Sequence, residues 1–294
     1  MKKFVYYILK LALLLIISAS FLDFCYTKIY EVSVPRSKFQ KLRTLKHEKI
    51  DYLFLGSSRV DNSVVINSIE KKTNKSAYNL GFQASKLQDI YLILQLLKKY
   101  EVSYDKVLIQ VDFAFNNELE FSNVLFFEAL PFIKENKLIE DYIKHNKPND
   151  FWKYRYLPFY KFIISNPKNG FREVVANVIK TPTRTLQNKG YSPLYGEFKN
   201  NKLLKLPSKI NNKNIYYNLI LNYCIKNKIN VVFYTAPCKI TKNSVYFDKL
   251  SRKVTNLNNF SGLLKDDIYF YDNFHINNEG ATIFTNVLIE KLKL

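Results

Sequence analysis

Cysteine is scarce, with only Cys25, Cys224 and Cys238 among 294 residues. Three are too few for a disulfide framework, and none has the paired spacing of a metal site. A Cys224–Cys238 bridge and three free thiols are both compatible with the sequence. Glycine is also sparse, at seven residues. No Gly-rich phosphate loop follows any strand-like run, which argues against a flavodoxin-type module that binds a soluble ligand. Histidine occurs three times, and His47 in KHEK and His145 in KHNKP lie in polar runs suited to solvated side chains. Only His275 stands at a strand end. Acidic residues number 25 against 45 basic ones, a net charge of +20. The lysines are scattered among Asn, Ile, Tyr and Phe and accompany no recognition motif, so nucleic acid is not the expected partner. An anionic envelope surface or acidic glycan fits the charge better. There is no internal repeat.

What the chain does have is one long apolar run. Phe4 to Leu22 holds 19 residues interrupted by a single lysine, close to the roughly 20 needed to cross a bilayer. Lys2 and Lys3 precede it and Lys10 can snorkel to the same side, so the positive-inside bias places the N-terminus in the cytoplasm and the rest outside. Ser18-Ala19-Ser20 also resembles a processing site. The apolar run continues past it through Phe21, Leu22 and Phe24, which favours a retained anchor. Leu22-Asp23-Phe24 before Cys25 lacks the small residues of a lipid-acylation site.

Residues 25–49 are polar and basic and read as a tether. From residue 50 the pattern is that of an α/β domain large enough to bury a substantial core, given 47% hydrophobic content. Tyr52–Leu55 is a run without turn residues, as expected of a strand buried on both faces. The next helix should bury Val60, Val64, Val65 and Ile69 and end near Lys71-Lys72. Ala77–Leu80, Lys106–Val111, Asn230–Thr235 and Ile268–Tyr271 read as four more strands. Leu87–Tyr100, Ile215–Ile225, Tyr246–Leu257 and Gly280–Leu292 read as helices. Strand, helix, strand at this spacing predicts a three-layer α/β/α sandwich with a parallel sheet of about five strands. Residues 113–206 break the pattern: dense aromatics among prolines and lysines predict a mostly helical insertion, with the aromatics serving chiefly as core. Gln187–Glu197 is turn-rich.

Two stretches carry candidate chemistry. In DYLFLGSSRV the first strand stops at Gly56, and Ser57 and Ser58 follow at once, so a hydroxyl can be presented at the carboxyl end of the strand, where open α/β sheets place ligands. In YFYDNFHINNEGA, Asp272 and His275 stand three residues apart just after a strand-like run. A carboxylate there would fix the imidazole tautomer, and the imidazole could take a proton from a serine hydroxyl. Arg59 could hold an anionic substrate group or be a solvated arginine at a helix start.

These stretches resemble the first and last motif blocks of the SGNH (GDSL-like) hydrolase superfamily. Gly56-Ser57-Ser58 occupies the first block, with Ser57 where the family usually has aspartate and Ser58 at the nucleophile position. Asp272-Asn273-Phe274-His275 occupies the last. Gly81 in YNLGFQAS looks like the glycine of the second block, whose N–H helps bind an oxyanion. The third block, Gly-x-Asn-Asp, is not matched: VLIQVDFAFNNE stands in its place, and Asn116 or Asn117 could substitute for its asparagine only by assumption. The resemblance spans roughly residues 50–294 and is closest to membrane-anchored members linked to acylation of cell-surface polymers. It implies a flavodoxin-like fold, a triad of Ser58, His275 and Asp272, and an oxyanion hole drawn from Ser58, Gly81 and Asn116. It also implies no cofactor or metal, an acylated cell-surface glycan as substrate, and a membrane-bound O-acyltransferase as a partner. The reading is an ester hydrolase or O-acyltransferase at the cell membrane with its domain on the extracytoplasmic, periplasmic side. Its rival is a catalytically inactive scaffold of the same fold in an envelope polysaccharide assembly system.

Overall fold

The computed structural model describes residues 1–198, 206–207, 209–239 and 245–294. In chain order its helices and strands are α1 (Lys2–Val32), α2 (Lys38–Thr44), β1 (Tyr52–Gly56), α3 (Ser58–Asp61), α4 (Ile66–Thr73), β2 (Ala77–Gly81), α5 (Leu87–Lys99), β3 (Lys106–Gln110), α6 (Asn123–Ala129), α7 (Lys137–Asn146), α8 (Phe151–Tyr156), α9 (Tyr160–Ile164), α10 (Asn166–Asn169), α11 (Phe171–Val178), α12 (Arg184–Gln187), α13 (Ile215–Lys226), β4 (Val231–Tyr234), α14 (Tyr246–Ser251) and α15 (Asn278–Leu292). They divide into two compact units, one formed by residues 1–41 with 126–182, the other by residues 42–125 with 183–294.

The second unit holds a parallel sheet in the order β2-β1-β3-β4. Tyr52 pairs with Ala77 on one side and Lys106 on the other, and Val107 pairs with Val231. Every residue of β1 and β2 is buried, which explains why their sequences are runs rather than alternations. Chain order reverses between β1 and β3, so the carboxyl ends of these two strands frame the crevice where such sheets bind ligands. One hydrophobic cluster joins Phe54, Val60, Leu108, Tyr234, Phe270, Ile276 and Phe284. Val60 lies two residues after Ser58 and Ile276 one after His275, so packing fixes both candidate stretches.

The expected fifth strand at Ile268–Tyr271 does not form. Asp267–Tyr269 is a turn of 3₁₀ helix, and Phe270 makes one antiparallel bridge to Ile276. The amides of this aromatic segment are used locally: Phe270 N–H donates to Asp267 O, and Tyr271 N–H donates to His275 O. The outer side of β4 is met by Asn258 in a single parallel bridge to Tyr234. The helix expected after Ser58 is broken into α3 and α4.

The other unit shows why residues 25–49 are not an extended tether. α1 continues ten residues beyond Leu22, and Phe39 at the start of the following α2 is fully buried. Phe39 stacks on Phe132 at 5.7 Å between ring centroids. Residues 126–182 are helical, as expected for the insertion, and group with the N-terminal helix. The last part of the expected insertion, 199–205, lies outside the described residues. Phe126, Phe132, Tyr154 and Phe162 are core side chains, whereas Trp152 and Tyr156 are exposed. α1 is long and apolar enough to cross a membrane, and no residue of its most apolar 18-residue window is buried among the described residues.

Candidate active site

β1 delivers the chain to Gly56, where a side chain would collide with its surroundings: a Cβ there would lie 2.5 Å from Val60 Cγ2 and 2.7 Å from Gln110 Oε1. Glycine lets the backbone turn tightly against β3. Ser57 then caps α3: its Oγ accepts the Arg59 N–H at 3.3 Å. Its own N–H and O–H both donate to Gln110 Oε1 at 3.0 Å. The serine that stands where the resembling family has aspartate is thus a helix cap tied to β3. Ser58 follows as the first helical residue.

The other side of the site is a tight return between Phe270 and Ile276. Asp272 Oδ1 accepts the N–H groups of Phe274 at 2.7 Å and His275 at 2.8 Å. This side-chain-to-backbone turn is the physical reason for the three-residue spacing. The His275 ring points back, with Nδ1 2.9 Å from both Asp272 oxygens. Burial works to raise the Asp272 carboxyl, but the hydrogen bond and charge of His275 and the two turn N–H groups outweigh it and hold the group below the usual carboxylate range. An ionised carboxylate only accepts, so Nδ1 carries the proton and Nε2 is left as acceptor. Ser58 Oγ lies 2.7 Å from Nε2 and therefore donates to it. Residues 217 positions apart in sequence meet in hydrogen-bond contact.

Arg59 is not a solvated arginine, and it borders the cleft beside Ser58. It is 4% exposed, and its Nε stands 2.6 Å from Asp112 Oδ2, itself at the carboxyl end of β3. Nη2 donates to the carbonyls of Ala236 and Pro237, just beyond β4. The guanidinium also stacks over Phe113 at 4.8 Å. Burial opposes its charge, but Asp112, Cys238 and Asp272 together outweigh burial and raise its pKa. Arg59 thus ties the turn after β1 to the ends of β3 and β4. Cys238 lies beside it, and burial pushes that thiol up against the pull of the cation. All three cysteines are free thiols, so Cys224 and Cys238 are not paired.

Gly81, Asn116 and the alternative Asn117 lie elsewhere. Gly81 donates its N–H to Asn79 Oδ1 at 2.9 Å. It is glycine because a Cβ there would sit 2.7 Å from both Asp61 N and Val60 Cβ. Asn116 turns to another loop, its amide donating to Lys209 O at 3.1 Å and accepting from Asn211 N at 3.0 Å. Asn117 donates to Glu120 at 3.2 Å. None of the three lines the cleft of about 140 Å³ beside Ser58, whose wall includes Ala84, Ser85, Asp112, Phe113, Phe274 and His275. Ala84 is missing from the sequence-derived set. It is exposed, has φ +59°, and its N–H, like that of Ser58, has no acceptor among the described residues. A non-glycine residue at positive φ is a local strain of the kind that gathers at functional sites. Asp112 was also missed, although an aspartate directly after a buried strand is visible in VLIQVDF.

Among the described residues no cluster of three or more His, Cys, Asp or Glu side chains is arranged to hold a metal ion. Compared with models of known protein families and with characterised proteins, the sequence matches none.

Proposed function

We infer that this protein is a membrane-anchored serine acyl-transfer enzyme, resembling SGNH (GDSL-like) hydrolases, that acts on acyl esters of a cell-surface glycan. The observation that carries the reading is the chain Ser58 Oγ, His275 Nε2, His275 Nδ1, Asp272, with contacts of 2.7 and 2.9 Å. Ser58 attacks the acyl carbonyl while His275 removes its proton, and Asp272 holds the ring and stabilises the imidazolium. The tetrahedral oxyanion is received by the N–H groups of Ser58 and Ala84. Collapse expels the alcohol, protonated by His275, and leaves acyl-Ser58. Water or a sugar hydroxyl, deprotonated by the same imidazole, then takes the acyl group.

The strand order β2-β1-β3-β4 supports the flavodoxin-like part of the reading, since it reproduces the first four positions of that arrangement. The apolar α1 supports a single span, and Lys2 and Lys3 before it favour a cytoplasmic N-terminus with the sheet unit outside. One observation favours the rival scaffold: Asn116, the assumed third oxyanion donor, is bonded to the loop at Lys209 and Asn211. Turnover decides between them. The full chain in detergent should hydrolyse p-nitrophenyl acetate, and Ser58→Ala should lower the rate by on the order of 100-fold or more with an unchanged melting temperature. A folded wild type that neither hydrolyses the ester nor transfers acetate from or to glycan substrates leaves the scaffold.

A further inference from the structure

We propose that α8, α9 and the turn between them form an interfacial foot seated in the phospholipid headgroup layer beside α1. The inference rests on the reading of α1 as a membrane span.

The level of the bilayer surface is marked on α1 by the end of its apolar run. Phe4 to Leu22 covers about 28 Å at 1.5 Å per residue, close to the roughly 30 Å hydrocarbon core. The next residue, Asp23, is ion-paired with Lys161 of α9 at 3.0 Å, and Lys161 is 3% exposed. One turn further, Tyr26 packs edge-on against Phe159 at 4.9 Å and Phe162 at 5.1 Å. α9 is therefore fixed to α1 immediately where the polar chain begins. A cleft of about 400 Å³ shares walls from Ser20 and Phe24 of α1 and from Tyr156 and Leu157 at the end of α8. The cleft follows α1 from Ser20 to Glu31, so the α8–α9 turn faces the stretch that starts at the end of the apolar run.

The side chains that α8 and α9 turn outward are those of a membrane interface. Trp152, Tyr156, Leu157, Ile163 and Ile164 are between 41% and 67% exposed. Trp152 and Tyr156 are four residues apart on one helix face. Amphipathic aromatics of this kind concentrate at headgroup depth. Lys153 and Arg155 accompany them, lying over the rings of Trp152 and Tyr156 at 5.9 and 5.3 Å while also pairing with Asp150 at 2.8 Å and Glu140 at 3.6 Å. Aromatics in the acyl boundary with cations at the phosphates is the pattern of a helix lying in the interface. Continuity with the span singles out the bilayer, rather than a protein partner, as what covers this face.

Trp152 is the only tryptophan of the chain, so intrinsic fluorescence reads this one position. The full chain is reconstituted into phosphatidylcholine and phosphatidylglycerol vesicles. Expected are a blue-shifted emission, loss of iodide quenching relative to the urea-unfolded chain, and stronger quenching by nitroxides near the headgroup than by nitroxides deep in the acyl chains. Tyr156→Ser with Leu157→Ser should restore iodide access to Trp152. Emission typical of water with full iodide quenching, in protein that resists alkaline carbonate extraction, overturns the foot and leaves the span. Protein extracted by carbonate overturns the span and the foot with it.

Discussion

Replacing Asp112 with asparagine keeps the shape of the side chain and removes the charge that faces Arg59. Both partners are nearly inaccessible, with side chains 4% and 3% exposed, so water cannot take over from the lost carboxylate. Removing one member of a buried ion pair costs about 3–5 kcal/mol. For a domain of 150–250 residues each kcal/mol shifts the melting temperature by about 2–4 °C. Asp112→Asn should therefore lower the melting transition of the sheet unit by about 6–20 °C, read by scanning calorimetry of the full chain in detergent. Arg59→Met with Asp112→Leu removes both charges at similar volume and should recover much of the loss, since an apolar replacement of a buried pair is often neutral. Arg59→Lys should not rescue function. A point charge on a flexible stem cannot reproduce the fork that reaches Asp112, Ala236 and Pro237 together. Esterase activity of Asp112→Asn at a temperature where it is fully folded should still fall, because the turn that presents Ser58 is held through Arg59. A melting temperature within about 2 °C of wild type would refute the account of Arg59 as a buried strut.

Two further outcomes follow from the same geometry. Gly56→Ala would push a methyl against Val60 and Gln110, displacing the amide that binds Ser57; activity should drop more than tenfold while Ser63→Ala, away from the cleft, stays near wild type. Asp272 is held below the ordinary carboxylate value of about 3.9, so its contribution to stability is complete above that value and is lost as pH falls through the lower folded value. Thermal scans across pH should accordingly show the gap between wild type and Asp272→Asn shrinking as the solution is acidified below the ordinary carboxylate range.

The parts of this site legible in the sequence are those encoded locally. A buried run ending in Gly56-Ser57-Ser58 and a three-residue Asp272 to His275 spacing each specify a turn, and the structure brings them together. What escaped was nonlocal or a matter of backbone angle. Arg59 finds Asp112 across 53 residues, and neither residue type announces the pairing. Ala84 lines the cleft with a positive φ that nothing in QASK signals, while Gly81, the glycine that looked right, is bonded to Asn79. Ile268–Tyr271 reads as a strand by composition, yet its amides are spent on the turn that aims His275. The polar residues after Leu22 looked like a tether because their aromatic partners, Phe159 and Phe162, lie more than 130 residues away.

The central claim is that Ser58 is a nucleophile activated by His275. Incubating the full chain with a fluorophosphonate and locating the adduct by peptide mass spectrometry tests it without knowledge of the acyl group or the glycan. The account predicts a single stoichiometric adduct on Ser58, absent in His275→Ala and slowed in Asp272→Asn. Folded wild-type protein that leaves Ser58 unmodified at saturating reagent would contradict it.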